Sequence, residues 1–340
     1  MNLKLLTAAL GLSIAAGAVS TASAQSTLDT VKQRGTLRCG VNTGLPGFAS
    51  QNDQGAWQGL DVDYCKAVAA AVFGDGTKVQ YVPLSAVQRF PALQNNEIDL
   101  LARNTTWTMD RDTTLGLDFS VVNYYDGQGF MVKKELNVNS AMQLSGATVC
   151  VQSGTTTELN LADFFRSNNL EYNPVVIESQ SDVNTAYDSG RCDVLTTDAS
   201  GLAASRLEMG QADDHVILPE IISKEPLGPA VRQGDSGWAD VVKWTHYLLL
   251  NAEEAGITQA NVEEMTKSEN PDIRRMLGQD GKFGASLGLP DTWAVNVIKA
   301  VGNYGEIYDR NVGPSTPLAL ARGQNALWTK GGLQYGMPIR

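Results

Sequence analysis

The chemistry in this sequence gathers between Asp99 and Ser120, where the apolar run Ile98 to Ala102 breaks into Asn104, Thr105, Thr106 and Thr108, and Arg111 follows closely. That is the pattern of a strand whose carboxyl end delivers hydroxyls and one guanidinium to a single place. Ligands of α/β sheets bind beyond the carboxyl ends of strands. Threonine hydroxyls both donate and accept, whereas arginine only donates, through a planar fork that matches a carboxylate or phosphate. The same residues also fit a threonine-rich turn with Arg111 on the surface. A second cluster, Gly154-Thr155-Thr156-Thr157, falls between a strand and a helix. Free N–H groups at a helix start stabilise an anion by about 0.3–1 kcal/mol, although a threonine N-cap explains the cluster too. Asp198 stands at the end of another strand, where a carboxylate could take an ammonium group or cap the helix Ala199 to Met209. Taken together, a cation fork on one unit opposite a helix end and a carboxylate on another complement a zwitterion.

Other chemistries find little support. His215 and His246 are isolated, and the remaining polar clusters lack a histidine partner, so neither a nucleophile–base pair nor a histidine metal site can be assembled. Ser153 lacks the nucleophile elbow because Val151 stands where its first glycine belongs. Gly278 to Lys282 is too short for a phosphate loop. No catalytic residue, metal or cofactor is expected. A carboxylate alone can still serve as an acid in a closed cleft, which keeps an enzyme as the alternative.

The elements that position these residues repeat one grammar. A helix near Thr30 to Arg34 and a strand at Thr36 to Asn42 lead into a Gly/Pro loop containing Leu45. The helix Val62 to Phe73 has apolar residues at helical spacing and stops at Gly74. Strand Val79 to Val82, a helix Ala86 to Asn95 capped by Ser85, and the strand of the opening paragraph complete a β-α-β-α-β run. After a strand at Gly127 to Lys133 the run restarts: strand Gly146 to Val151, helix Glu158 to Asn168, strand Val175 to Ile177, helix Ser181 to Ser189, strand Asp193 to Thr197. A further strand, Gly228 to Arg232, precedes a helix Trp238 to Ala255, and helices follow near Thr258 to Met265, Pro271 to Leu277 and Thr292 to Tyr308. Two parallel-dominated α/β sheets are therefore expected.

Composition bounds the setting. Lys4, the apolar segment Leu5 to Val19 and Ala22-Ser23-Ala24 read as a signal peptide over residues 1–24, too short for a span of about 20 residues. The 340-residue chain has a net charge of −11, or −12 without Lys4, and 43% hydrophobic residues. That argues for a substantial core and against nucleic acid or membrane insertion. Four cysteines in an exported chain allow three disulfide connectivities.

Beyond these readings, the chain resembles the periplasmic solute-binding proteins of bacterial polar amino-acid ABC importers. The resemblance runs from about Leu28 to Ala255. It rests on Gly-Thr-Leu-Arg-Cys-Gly-Val at Gly35 to Val41, Gly-Leu-Asp-Val-Asp at Gly59 to Asp63, Arg-Phe-Pro-Ala-Leu with Glu-Ile-Asp at Arg89 to Asp99, Thr-x-Thr-x-x-Arg with Asp-Phe-Ser, Gly154-Thr155-Thr156, and Gly-Arg-Cys-Asp at Gly190 to Asp193 ahead of Asp198. The wording Arg-Asn-Thr-Thr-Trp-Thr is similar to the general L-amino-acid-binding subgroup of proteobacteria. The resemblance implies a two-lobed type II periplasmic binding protein with a two-strand hinge. The first lobe would take residues 25–125, the second 126–225, and 226–340 would return to the first with a C-terminal helical extension.

It further implies a monomeric periplasmic receptor, without catalysis, that delivers L-amino acids to an ABC permease. A prephenate or arogenate dehydratase-like lyase on the same scaffold is the alternative. By resemblance, Arg111 and the Thr156 backbone hold the ligand α-carboxylate, while Thr106, the Asn104 carbonyl and Asp198 hold its ammonium, with Thr105 and Thr155 beside them. Leu45 stands where many relatives cover the ligand with an aromatic ring. Arg89 occupies the place of a side-chain-reading arginine, or else an exposed helix face. A broad ligand range follows, favouring Glu, Gln, Asp and Asn if Arg89 faces the cleft. With Cys39 on the first strand beneath the helix of Cys65, and Cys150 and Cys192 on neighbouring strands, the expected pairs are Cys39–Cys65 and Cys150–Cys192.

Overall fold

The computed structural model describes residues 26–340; the expected signal segment 1–24 lies outside the described residues. Two five-stranded sheets carry the fold. In the first, Leu37–Asn42 pairs in parallel with Val79–Leu84 on one side and Leu100–Leu101 on the other. Ala230–Arg232 then lies antiparallel between Leu100–Leu101 and Leu117–Phe119. In the second, Ala147–Gln152 pairs in parallel with Tyr172–Ile177 and Val194–Asp198, and Gln128–Lys133 runs antiparallel between Val194–Asp198 and His215–Ile217. A separate antiparallel pair, Tyr124–Asp126 with Glu225–Leu227, carries the chain across and back, with Glu225 opposite Asp126. This is the two-lobed periplasmic-binding-protein architecture, with two parallel-dominated sheets flanked by helices.

The first lobe is built over the helix Leu60–Phe73, which is buried along most of its length. It starts at Gly59, where φ is 132° and a Cβ would meet the Phe48 carbonyl oxygen at 2.1 Å, so no other residue fits there. It ends at Gly74 in the left-handed conformation. The long helix Ser236–Glu254 packs beside it, its Trp238 indole donating to the Asp99 carbonyl at 2.8 Å. Cys39 is bonded to Cys65, tying the first strand to the helix above it, and Cys150 is bonded to Cys192. Cys192 sits just ahead of the strand Val194–Asp198 rather than on it.

Residues beyond Gly256 extend the first lobe's core. The expected helix from Thr292 to Tyr308 is in fact two, Trp293–Val301 and Tyr304–Asn311. Gly302 turns left-handed at φ 74°, and Asn303 then caps the second helix in a reciprocal box with Glu306. Val297, Ile298 and Tyr308 are fully buried against this lobe. Burying an aliphatic side chain of that size contributes about 1.5–3 kcal/mol, so the extension is an integral layer. It also reaches the hinge. The buried Asn325 side chain accepts from the Tyr125 N–H at 2.7 Å and donates to the Tyr125 carbonyl at 3.0 Å, taking the place of a neighbouring strand. Tyr304 donates its hydroxyl to the Asn123 carbonyl at 2.8 Å. A second correction concerns the helix expected at Ala86 to Asn95, which forms only over Arg89–Gln94. Ser85 does not cap it; its hydroxyl reaches Glu178 in the second lobe. Among the described residues no helix is long and apolar enough to cross a membrane.

Candidate functional site

Between the lobes lies a cavity of ≈ 30 Å³. Its walls meet at the carboxyl ends of the first and third parallel strands of both sheets. In the first lobe, Asn42 ends the first strand. Its side chain accepts from the Gly44 N–H at 3.1 Å and donates to Asn104 Oδ1 at 2.9 Å, fixing the loop that carries the buried Leu45. Asn104 follows the third strand at φ 32°, a left-handed position asparagine tolerates. Its N–H donates to Asp61 Oδ2 at 2.8 Å.

The next residues bind the strand end to the hinge: the Gly228 N–H donates to the Thr105 carbonyl at 2.9 Å, and the Trp107 N–H to the Pro226 carbonyl at 2.8 Å. Thr108 then caps the short helix Met109–Thr113 that carries Arg111. Arg111 donates to the Thr106 carbonyl at 2.9 Å. Arg89 is buried in the cleft wall, not on an exposed helix face, and donates to Thr105 Oγ1 at 3.3 Å and, across the cleft, to the Gly154 carbonyl at 3.5 Å. Both guanidiniums lie over Phe90, with Cζ 4.8 and 5.1 Å from the ring centroid, a favourable cation–π arrangement.

In the second lobe, Thr155 caps the helix Thr156–Ser167 by accepting from the Glu158 N–H at 3.1 Å. Gly154, before it, is left-handed at φ 72°, and a Cβ there would lie 2.7 Å from Val87 of the facing lobe. Asp198 occupies the N-cap position of Ala199–Glu208 yet makes no side-chain capping bond. Asp126, on the hinge, takes that work instead, accepting from the Ser200 N–H at 3.4 Å and from the Ser200 hydroxyl. Asp198 therefore lines the cavity uncommitted.

Of the expected site residues, Leu45, Arg89, Asn104, Thr106, Thr155, Thr156 and Asp198 line this one cavity. Thr105 is fully buried and supports Arg89. Arg111 holds the Thr106 carbonyl outside the cavity wall.

Two residues escaped the sequence reading. Glu225, on the second hinge strand and 1% exposed, accepts from Thr106 at 2.6 Å, Thr156 at 2.8 Å, Asn160 at 2.7 Å and Ser223 at 2.6 Å, so one carboxylate joins both lobes and the hinge. Nothing local marks it out beyond a charge standing before Pro226. Arg103 lines the cavity and is 2% exposed; the signal for it was a charge directly after the apolar strand.

The electrostatics are unusual. Arg89, Arg103 and Arg111 donate to neutral oxygens and not to a carboxylate. Burial pushes Arg103 down to about 10 and lowers Arg111. Arg89 is lowered well below its ordinary value by burial and then by repulsion from Arg103 and Arg111. Asp198 is raised well above the carboxylate range by burial and then by Asp126 and Glu225, against the pull of Arg89 and Arg111. Burial also lifts Asp61 and Asp126 to about 6. Desolvated guanidiniums with no carboxylate bonded to them, and an uncommitted Asp198, gathered about one cavity suit a ligand that carries both charges.

The chain is 64% identical to the "General L-amino acid-binding periplasmic protein AapJ" of Rhizobium johnstonii, over 100% of both chains. It is 57% identical to the "Glutamate/glutamine/aspartate/asparagine-binding protein BztA" of Rhodobacter capsulatus, over 96% of each. A solved Brucella ovis ABC transporter periplasmic binding protein with glutathione bound superposes with a TM-score of 0.92 at 64% identity, covering 93% of this chain and 100% of that one. Residues 37–277 match the family described as bacterial extracellular solute-binding proteins, family 3, and the chain belongs to that family.

Proposed function

We propose that this protein is a monomeric periplasmic receptor that binds L-amino acids between its lobes and delivers them to the permease of an ABC importer. The observation that carries the reading is the cavity itself: buried guanidiniums from the first lobe and an uncommitted Asp198 from the second face one small space. Arg111 with the Thr156 N–H takes the ligand α-carboxylate; Thr106, the Asn104 carbonyl and Asp198 take its ammonium. Because Arg89, Thr106 and Asp198 are all buried between the lobes, a ligand enters an opened cleft and the lobes close on it. On this reading the lobes divide near residues 125/126 and 225/226, which the antiparallel pair Tyr124–Asp126 and Glu225–Leu227 supports, and residues 1–24 serve as the export signal. Anchoring by groups common to every amino acid gives breadth, and Leu45 leaves room for varied side chains. Glu, Gln, Asp and Asn are favoured through Arg89. The names of the relatives support a binding role.

Mass spectrometry of small molecules retained on the purified protein, followed by titration with L- and D-amino acids, tests the reading. Unchanged L-amino acids and weak D-enantiomers are expected, since fixing ammonium and carboxylate fixes where the side chain points. A retained acid converted to a dehydrated product would replace the receptor with the lyase. Tight binding of a single L-amino acid and no other would end the broad range.

A further inference from the structure

Two hydroxyls in the cavity wall have their protons committed before any ligand arrives. Glu225, on the hinge strand Glu225–Leu227, accepts four hydrogen bonds, all from neutral groups. Thr106 of the first lobe and Thr156 of the second donate to Oε2 at 2.6 and 2.8 Å, while Asn160 and Ser223 donate to Oε1 at 2.7 and 2.6 Å. Thr106 forms an antiparallel bridge with Leu227, which brings it beside the same hinge strand. A carboxylate only accepts, and a hydroxyl has one proton to give. With both protons on Glu225, the Thr106 and Thr156 hydroxyls, 3.3 Å apart, turn only lone pairs on the cavity they line. A buried charge on the hinge thus fixes the polarity of two neutral side chains, one from each lobe.

We propose that Glu225 is a positioning residue for ligand choice: by holding the Thr106 hydroxyl as a pure acceptor, it makes the closed cleft select an α-ammonium over an α-hydroxyl or an α-keto oxygen. This rests on the receptor reading above, in which Thr106 meets the ammonium together with the Asn104 carbonyl and Asp198. An ammonium has three N–H groups for three acceptors. A hydroxyl has one proton, and a keto oxygen has none and would set lone pairs against lone pairs in a desolvated space. The same commitment leaves Thr156 its backbone N–H, and not its hydroxyl, for the α-carboxylate. Asp198 favours the ammonium by its charge; the contribution of Glu225 is separable because it passes through one hydroxyl.

Calorimetric titration of L-glutamate, L-α-hydroxyglutarate and α-ketoglutarate, which share a side chain and an α-carboxylate, into the wild type, Glu225→Gln, Thr106→Val and the double variant tests it. In Glu225→Gln the Asn160 and Ser223 donors keep the amide oxygen on their side, so the amide N–H groups face Thr106, whose proton then turns to the cavity. The wild type should bind glutamate about tenfold or more tighter than either analogue. Glu225→Gln should narrow that preference at least about fivefold by weakening glutamate alone. Thr106→Val should narrow it as well, and in the Thr106→Val background Glu225→Gln should change the preference by less than about twofold, because the two residues act as one unit. A Glu225→Gln protein that weakens all three ligands alike overturns the proposal, since Glu225 would then only hold the lobes together. An equal change in preference with and without the Thr106 hydroxyl also overturns it, since Glu225 would then act by its charge. Should Glu225→Gln fail to fold, Thr106→Val carries the test, and an unchanged preference there overturns the proposal. In each of these cases glutamate binding by the wild type leaves the receptor reading standing; a wild type that binds neither L-glutamate nor L-leucine removes both.

Discussion

The two sheets have the same strand plan and opposite chemistry at matching places. In each, the strand order places the second parallel strand, then the first, then the third, then an antiparallel strand arriving from the hinge, then a short edge strand. The third strand of the first sheet ends in Arg103, Asn104 and the segment to Arg111. The third strand of the second ends in Asp198. The first strands end in Asn42 and the Leu45 loop on one side, and in Gln152 and the threonine helix cap on the other. A backbone plan thus brings four strand ends to one cleft but says nothing of their charge. Side chains at two or three positions beyond each end make one wall cationic and the other anion-bearing.

A second asymmetry lies in the hinge. Its first strand is gripped from outside by Asn325 of the C-terminal extension, and its second is held from within the cleft through Glu225.

The largest effect should come from removing the cationic anchor. Arg111→Ala is predicted to weaken every amino-acid ligand at least about tenfold, since a charged hydrogen bond contributes about 1.5–3 kcal/mol and the fork makes two. Arg111→Lys should recover little. Near-parental affinities by calorimetry would take Arg111 out of the site and leave Arg89 and Arg103 as the cationic wall.

Asp198→Asn, on the opposite wall, should cost somewhat less, about fivefold to tenfold, because the amide oxygen still accepts from the ammonium. Its signature is in pH. The Asp198 carboxyl is raised in the free closed protein, so it holds a proton at higher pH than an ordinary carboxyl, and an ammonium ligand must expel that proton. Wild-type affinity should therefore rise with pH through the raised value, with proton release visible when calorimetry is repeated in buffers of different ionisation enthalpy. Asp198→Asn should flatten that dependence. An identical pH profile in wild type and variant would show that Asp198 does not meet the ligand's charge.

The smallest effect on binding is expected from the hinge grip. Asn325→Ala leaves the Tyr125 N–H and carbonyl without their side-chain partner and should lower unfolding stability by ~1–3 kcal/mol, read by denaturant titration. Ligand affinity should change by less than about threefold, because the cleft residues are untouched. A large loss of affinity without loss of stability would instead make the extension part of the closing mechanism.

Much of the architecture was legible along the chain. Hydrophobic period, glycine stops and threonine caps locate the strands and helices of both units to within a few residues, since each signal depends on neighbours a turn or a pleat away. Where the reading erred, a local break was overlooked or a residue answered to the other lobe. Gly302 with the Asn303–Glu306 box divides one expected helix into two, and Ser85 turns to Glu178 rather than to its own helix.

The site was legible in kind: threonines and an arginine at one strand end, a helix cap and Asp198 at another. Its partners were not. Glu225 gathers four donors from residues 106, 156, 160 and 223, a convergence with no trace in its neighbours. Arg103 is set apart by burial with no carboxylate bonded to it, while Arg34 and Arg38 in the same lobe pair with Asp99. The sequence by itself determined the order of elements, the two-sheet class and which charges exist, because those follow from residue type and spacing. Only the tertiary structure decided which charges lie desolvated and unpaired against one cavity, because desolvation and pairing depend on atoms far away along the chain.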